Sequence, residues 1–211
     1  MENMMPQATT SLFLILGITD GSPQSQDRQT AEALLTNGLD FLYWRRPSDP
    51  ALPKQLPASV QASVLLPANQ ANEVTAPFRW HLTDTARQRR PYGQPGAFST
   101  SIHTLSEWSS LAGQVELVFY SPVFPSISKP GYGPSIGLEE ITRQIRTIRK
   151  QQTTLPLLIG LGGVNADNVA QVRQAGFDGA AVMGALWQPP DALDALNQLQ
   201  QALANHERME R

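Results

Sequence analysis

Residues 115–134 read VELVFYSPVFPSISKPGYGP. The first six form an apolar strand, and the chain then breaks at Pro122, Pro125, Pro130, Gly131, Gly133 and Pro134. Proline fixes φ and glycine permits sharp turns, so such a loop holds Ser126, Ser128 and Lys129 in one arrangement. Two hydroxyls and an ammonium on a pre-shaped loop suit an anionic ligand. Downstream, residues 138–151 place Ile141, Ile145 and Ile148 on one helical face and Arg143, Arg146, Arg149 and Lys150 on the other. Residues 155–161 are then a nearly unbroken apolar run, as expected of a parallel strand covered on both faces. Strand, loop, helix and strand make one βα crossover.

The same alternation extends in both directions. Upstream, apolar runs at 12–19, 39–45, 64–66, 78–82 and 98–102 read as five earlier strands. Helices are predicted over 27–37, from Thr83 or Asp84 to residue 90, and over 104–112, where TLSE has the form of a capping box. Between Arg46 and Val64, four prolines (47, 50, 53 and 57) leave room for a short helix at best. That predicts an uncovered patch on the outer wall unless another chain or the N-terminal arm packs on it. Residues 70–74 supply at most a brief turn. Downstream, Asn165 reads as the N-cap of a helix over 167–174, 179–183 as an eighth strand, and 191–205 as the last helix. Eight strand-helix alternations with right-handed crossovers close most economically into a (β/α)8 TIM barrel, with a doubly wound open sheet as the competing fold.

One domain is expected over 1–211, with residues 1–10 a flexible arm and 206–211 a polar tail. Charged residues make up 16% of the chain and the net charge is −2. No basic excess therefore points to nucleic acid or an acidic membrane surface. The chain has no cysteine, which removes disulfides and thiolate metal sites. The run 12–18 is too short to span a bilayer, and a cytoplasmic location is expected. A homo-oligomer stays open.

In such a barrel the reactive groups sit at the C-terminal ends of strands. The spacing places Asp20, Arg45, Arg46, His81, Asp84, Ser99, Ser101, His103, Ser126, Ser128, Lys129, Gly162, Gly163 and Gly184 there. The pair Gly162 and Gly163 offers backbone N–H groups to a phosphate at a helix start, with Met183 and Gly184 beside it after the eighth strand. A lone glycine pair is more often a plain turn; its position after the seventh strand favours the phosphate. His81 is more often a hydrogen-bonded structural histidine than a base, and Trp44, Trp80 and Trp187 read as packing.

Several segments resemble the thiamine phosphate synthase/TenI family. Residues 121–129, SPVFPSISK, are similar to its GPVFPTxTK loop. Residues 159–164 with Asn168, then 176–183, are similar to its IGGI...N...AGADGVAV ending. Ser101, His103, Thr104 and Glu107 are similar to its SxHTxxE. The resemblance implies a TIM barrel that joins hydroxymethylpyrimidine diphosphate to thiazole phosphate, giving thiamine phosphate and pyrophosphate. It further implies that Lys129 and Arg45 act on the diphosphate, and that Ser101, Ser126, Ser128 and His81 contact substrate. Gly162, Gly163, Met183 and Gly184 would hold the thiazole phosphate.

The family's arginine and lysine after the second strand are matched only by Arg45, followed by Arg46 and Pro47; Arg46 would stand in for the lysine. The family's Mg2+ aspartates are not matched: after the third strand comes Pro67-Ala68-Asn69, and Asp84 is the one displaced carboxylate left for a metal. Two other readings stand beside the transferase. One is a barrel that binds phosphorylated thiamine precursors without turning them over. The other is a TenI-type thiazole tautomerase, whose GHVF histidine is absent from Ser121-Pro122-Val123-Phe124.

Overall fold

The computed structural model describes residues 13–70, 73–89, 97–126, 131 and 133–209. Eight parallel strands close into a barrel in sequence order: β1 (Leu14–Ile18), β2 (Phe41–Tyr43), β3 (Val64–Ala68), β4 (Arg79–Leu82), β5 (Ser99–Ile102), β6 (Leu117–Tyr120), β7 (Leu157–Leu161) and β8 (Gly179–Val182). Closure is made by β1 on β8, with Leu16 opposite Ala181. The open-sheet alternative is thereby excluded.

Strand alternation divides the core in two. Leu16, Tyr43, Phe119, Ile159 and Ala181 point inward and fill the barrel. Their neighbours Ile15, Leu42, Val118, Leu158 and Ala180 point outward, where the helices cover them. That two-sided burial is why the strands read as unbroken apolar runs. At the N-terminal end of the barrel Arg79 lies 4.2 Å from the ring centre of Phe98 and 5.5 Å from that of Phe41. A cation thus lies over aromatic faces at this end.

The helical layer consists of α1 (Arg28–Thr36), α2 (Ala58–Gln61), α3 (Asp84–Gln88), α4 (Leu138–Gln151), α5 (Val169–Gln174), α6 (Gly184–Trp187) and α7 (Ala192–Met209). Asp27 caps α1 by accepting from Thr30 N at 2.7 Å, which satisfies one of the free N–H groups of the first turn. Helix α4 has the predicted bounds; Ile141 and Ile145 are fully buried, acidic Glu139 and Glu140 lie in its first turn, and Arg149 and Lys150 in its last, matching the helix dipole. Helix α7 continues to Met209, past the predicted end at residue 205, so 206–209 is helical. The predicted arm at 1–10 lies outside the described residues.

Other expectations are corrected. The proline segment does hold only a 3-10 turn at Leu52–Gln55 and the single turn of α2, yet Pro53, Leu56 and Val60 are buried by it. Among the described residues the one large exposed apolar side chain is Leu157, so the wall there is not a bare patch. The predicted helix over 104–112 is instead two 3-10 turns, Leu105–Glu107 and Ser109–Leu111. Thr104 bonds the Glu107 carboxylate rather than a backbone N–H, and the fully buried Trp108 indole donates to Pro156 O at 2.9 Å, which draws the segment onto β7. Helix α5 starts at Val169, because residues 165–168 form a separate turn: Asn168 Oδ1 accepts from Asn165 N and its Nδ2 donates to Gly163 O, both at 2.9 Å. The glycine pair therefore lies ahead of that turn, not at the helix start.

Candidate active site

At the C-terminal ends of the strands lies a cavity of about 370 Å³. Its floor is aromatic. The Tyr43 and His81 rings are tilted by 35° with centroids 4.3 Å apart, and Phe119 meets the His81 ring edge-on at 5.5 Å. These three are inward-pointing residues of β2, β4 and β6. His81 Nδ1 lies 2.9 Å from Ser99 Oγ, and burial drives its pKa down to about 3. Burial also pushes the Tyr43 hydroxyl up to about 12, against the opposing charges of Arg45 and Arg46. The floor is thus uncharged at neutral pH, and suits a flat, apolar ring.

The rim is polar. Arg45, Asp84, Ser101, His103 and Ser126 reach the cavity from the ends of four different strands. Arg45 is held by its backbone: its N–H donates to the buried Thr19 hydroxyl at 3.0 Å. On either side of it, Trp44 Nε1 and Ser48 N both donate to Gln26 Oε1 at 2.9 Å, so one acceptor from the β1–α1 loop clamps the turn that carries the arginine. His103 Nδ1 donates to Ser121 O at 2.8 Å.

Beside this cavity is a niche of about 70 Å³ lined by Gly162, Gly163, Met183 and Gly184. The two spaces share Ser126, Leu161, Gly162 and Met183. The β6–α4 loop runs along the β7–α5 loop, with Val123 N donating to Leu161 O (2.9 Å) and Phe124 N to Gly162 O (3.0 Å). Gly162 and Gly163 have φ of +99° and +66°, and side chains on them would strike Pro122 and Pro125. Only glycine adopts such a backbone at no steric cost. The glycine pair is therefore required by close loop packing as well as by the niche.

Of the residues singled out from sequence, Arg45, His81, Asp84, Ser101, Ser126, Gly162 and Met183 line the one cavity, and Gly163 and Gly184 its niche. Arg46 is exposed and outside the cavity lining. Ser128 and Lys129 lie outside the described residues. Sequence reasoning missed Tyr43, although its position two residues before Arg45 in a strand puts both on the inner face. It also missed Gln26, for which no local signal exists.

The donor set does not fit a resident magnesium ion. Asp84 Oδ1 accepts from Arg87 Nη2 at 2.8 Å, and the same nitrogen donates to Glu107 Oε2 at 2.7 Å. Burial alone would raise the Glu107 carboxyl, but the bonds from Arg87 and Thr104 and the Arg87 charge hold it below the usual glutamate range. Among the described residues no three carboxylate or histidine groups come together as a metal site. Asp84, the residue read as a metal ligand, has its carboxylate engaged by an arginine.

A family model described as thiamine monophosphate synthase (TMP-TENI) matches residues 81–186, half of the chain. The chain belongs to this family. The thiamine monophosphate synthase match begins at His81 and takes in β5 to β8 with both loops of the niche. Thiamine-phosphate synthase of Listeria monocytogenes is 36% identical over 101 residues, which cover 47% of this chain and 45% of that protein. The chain thus matches somewhat less than half the length of that relative. Two solved structures share the fold. Thiamine phosphate pyrophosphorylase from Bacteroides thetaiotaomicron has a TM-score of 0.68 at 21% identity, covering 94% of this chain and 100% of its own. The protein of the same description from Pyrococcus furiosus has a TM-score of 0.67 at 17% identity, covering 93% and 98%.

Proposed function

We propose that this barrel is a transferase of thiamine biosynthesis, joining hydroxymethylpyrimidine diphosphate to thiazole phosphate and releasing pyrophosphate. The observation that carries this reading is the junction of the aromatic-floored cavity with the glycine-lined niche through Ser126, Leu161, Gly162 and Met183. A two-substrate reaction needs one place for a planar ring bearing a diphosphate and an adjoining one for a second phosphate.

In this reading the pyrimidine lies on Tyr43, His81 and Phe119, and Ser101 contacts its edge. Arg45, together with Lys129 and Ser128 of the β6–α4 loop, receives the diphosphate. The thiazole phosphate sits on the backbone around Gly162, Gly163 and Gly184, where no side chain blocks approach. The carbon–oxygen bond to the diphosphate breaks with its electron pair leaving on the diphosphate, and the thiazole nitrogen donates its pair to the pyrimidinylmethyl carbon. Negative charge on the leaving group grows as the bond breaks, so fixed cations aimed at it stabilise the transition state more than the bound substrate. No general base is required, in keeping with a histidine held neutral by burial. No step is assigned to a metal.

Incubation with both substrates, followed by chromatography for thiamine phosphate and pyrophosphate, tests this. Product is expected in stoichiometric amounts. Binding of both substrates without product would support instead a barrel that only holds phosphorylated precursors, a reading favoured by the engagement of Asp84 with Arg87.

A further inference from the structure

We propose that Arg87 is a built-in cation of the barrel mouth, holding Asp84 and Glu107 together in the place where a divalent ion would otherwise join them. This deepens the transferase reading and rests on it only for the nature of the ligand. One nitrogen, Arg87 Nη2, lies 2.8 Å from Asp84 Oδ1 and 2.7 Å from Glu107 Oε2, so a single cationic group bridges the two carboxylates. A magnesium ion takes oxygen ligands at about 2.0–2.1 Å, usually one or two of them carboxylates. A small closure of these two would serve it, were the guanidinium not between them. The arginine is fixed there: its side chain is 16% exposed, and its Nε is buried with no hydrogen-bond partner. The carboxylates are about one-third exposed; Asp84 lines the cavity, while Arg87 and Glu107 lie beside it, outside its lining.

The carboxylates on the neighbouring strand-end loops are committed elsewhere. Asp20 accepts from Ser22 N at 2.8 Å, and Glu73 from Asn69 N at 3.0 Å. The loop residues outside the description, 71–72, 90–96, 127–130 and 132, contain no Asp, Glu or His in the sequence. Those loops therefore hold no further carboxylate or imidazole in their sequence. Two carboxylates and one guanidinium leave a net charge of −1 there, and a divalent ion that takes the two oxygens held by Arg87 must displace it.

Manganese, a paramagnetic substitute for magnesium, reads this directly through the electron paramagnetic resonance signal of the free ion. The intact protein is expected to leave that signal nearly undiminished. Arg87→Met, with its fold checked by circular dichroism, is expected to bind Mn2+ at least about ten-fold more tightly, two freed carboxylates then facing one another. Adding Asp84→Asn to Arg87→Met should abolish the gain. A tight Mn2+ site in the wild type that Asp84→Asn removes would overturn the proposal, as would a folded Arg87→Met with no gain. Should Arg87→Met not fold, Arg87→Gln takes its place, with the same gain expected and the same loss of that gain on adding Asp84→Asn. Thiamine phosphate formation is measured separately, so a failed transferase reading and a failed Arg87 assignment are told apart.

Discussion

A Cβ placed on Gly163 would fall inside the van der Waals envelope of the Pro125 carbonyl oxygen. No such contact is tolerated, and the residue also has φ +66°, where side chains are disfavoured. Gly163→Ala should therefore destabilise the barrel by about 2 kcal/mol or more in urea unfolding. Gly131 also has a positive φ, +82°, but open space around it. Gly131→Ala should cost only about 1 kcal/mol. Equal losses at the two positions would show that loop packing is not what requires Gly163.

Gly184 offers the opposite case. Its nearest neighbours on the Cβ side are the flexible Gln188 atoms, at 3.3 Å and beyond, and it opens α6. Gly184→Ala should leave stability within about 0.5 kcal/mol. Because the added methyl points toward Gln188, which does not line the niche, KM for thiazole phosphate and KM for the diphosphate substrate should both stay within about two-fold of wild type. Steady-state kinetics with each substrate varied in turn checks both.

Lys129 is the lysine of the loop that follows β6, and in the proposed reaction it acts on departing charge. Lys129→Ala should lower kcat by about 10²-fold, the loss typical of removing one fixed transition-state donor, with KM for thiazole phosphate nearly unchanged. A rise in that KM with kcat intact would instead place the lysine on the second substrate.

His81 makes the fold sensitive to acid. In the unfolded chain its imidazole takes a proton below about pH 6.5. In the barrel, burial lowers the pKa to about 3. Between these values the unfolded state binds more protons, so stability falls as pH drops, by up to about 1.4 kcal/mol per pH unit from this group. Urea unfolding at several pH values should show a shallower acid limb for His81→Gln than for the wild type.

What could be read in advance was whatever depends on neighbours along the chain. Helix α4 carries its own apolar stripe and its own end charges, so its bounds were legible. The proline segment likewise announces that a long helix cannot form there. The clustering of Arg45, His81, Ser101 and Ser126 followed once the strands were counted, because a barrel brings all its strand ends to one rim. The encounter of Arg87 with both Asp84 and Glu107 was not legible, since it depends on how α3 and the turn after β5 sit once the barrel has closed. The helix predicted after Thr104 failed for a similar reason: the Trp108 indole finds its partner at Pro156, far along the sequence, and that contact outweighs the local capping pattern.

The filled interior, with Arg79 over Phe98 and Phe41 at its far end, makes the barrel a cul-de-sac. Every molecule that reaches the aromatic floor must arrive and depart through the same rim. For the proposed reaction, both substrates and both products share that one rim, because the interior beneath the aromatic floor is filled by side chains.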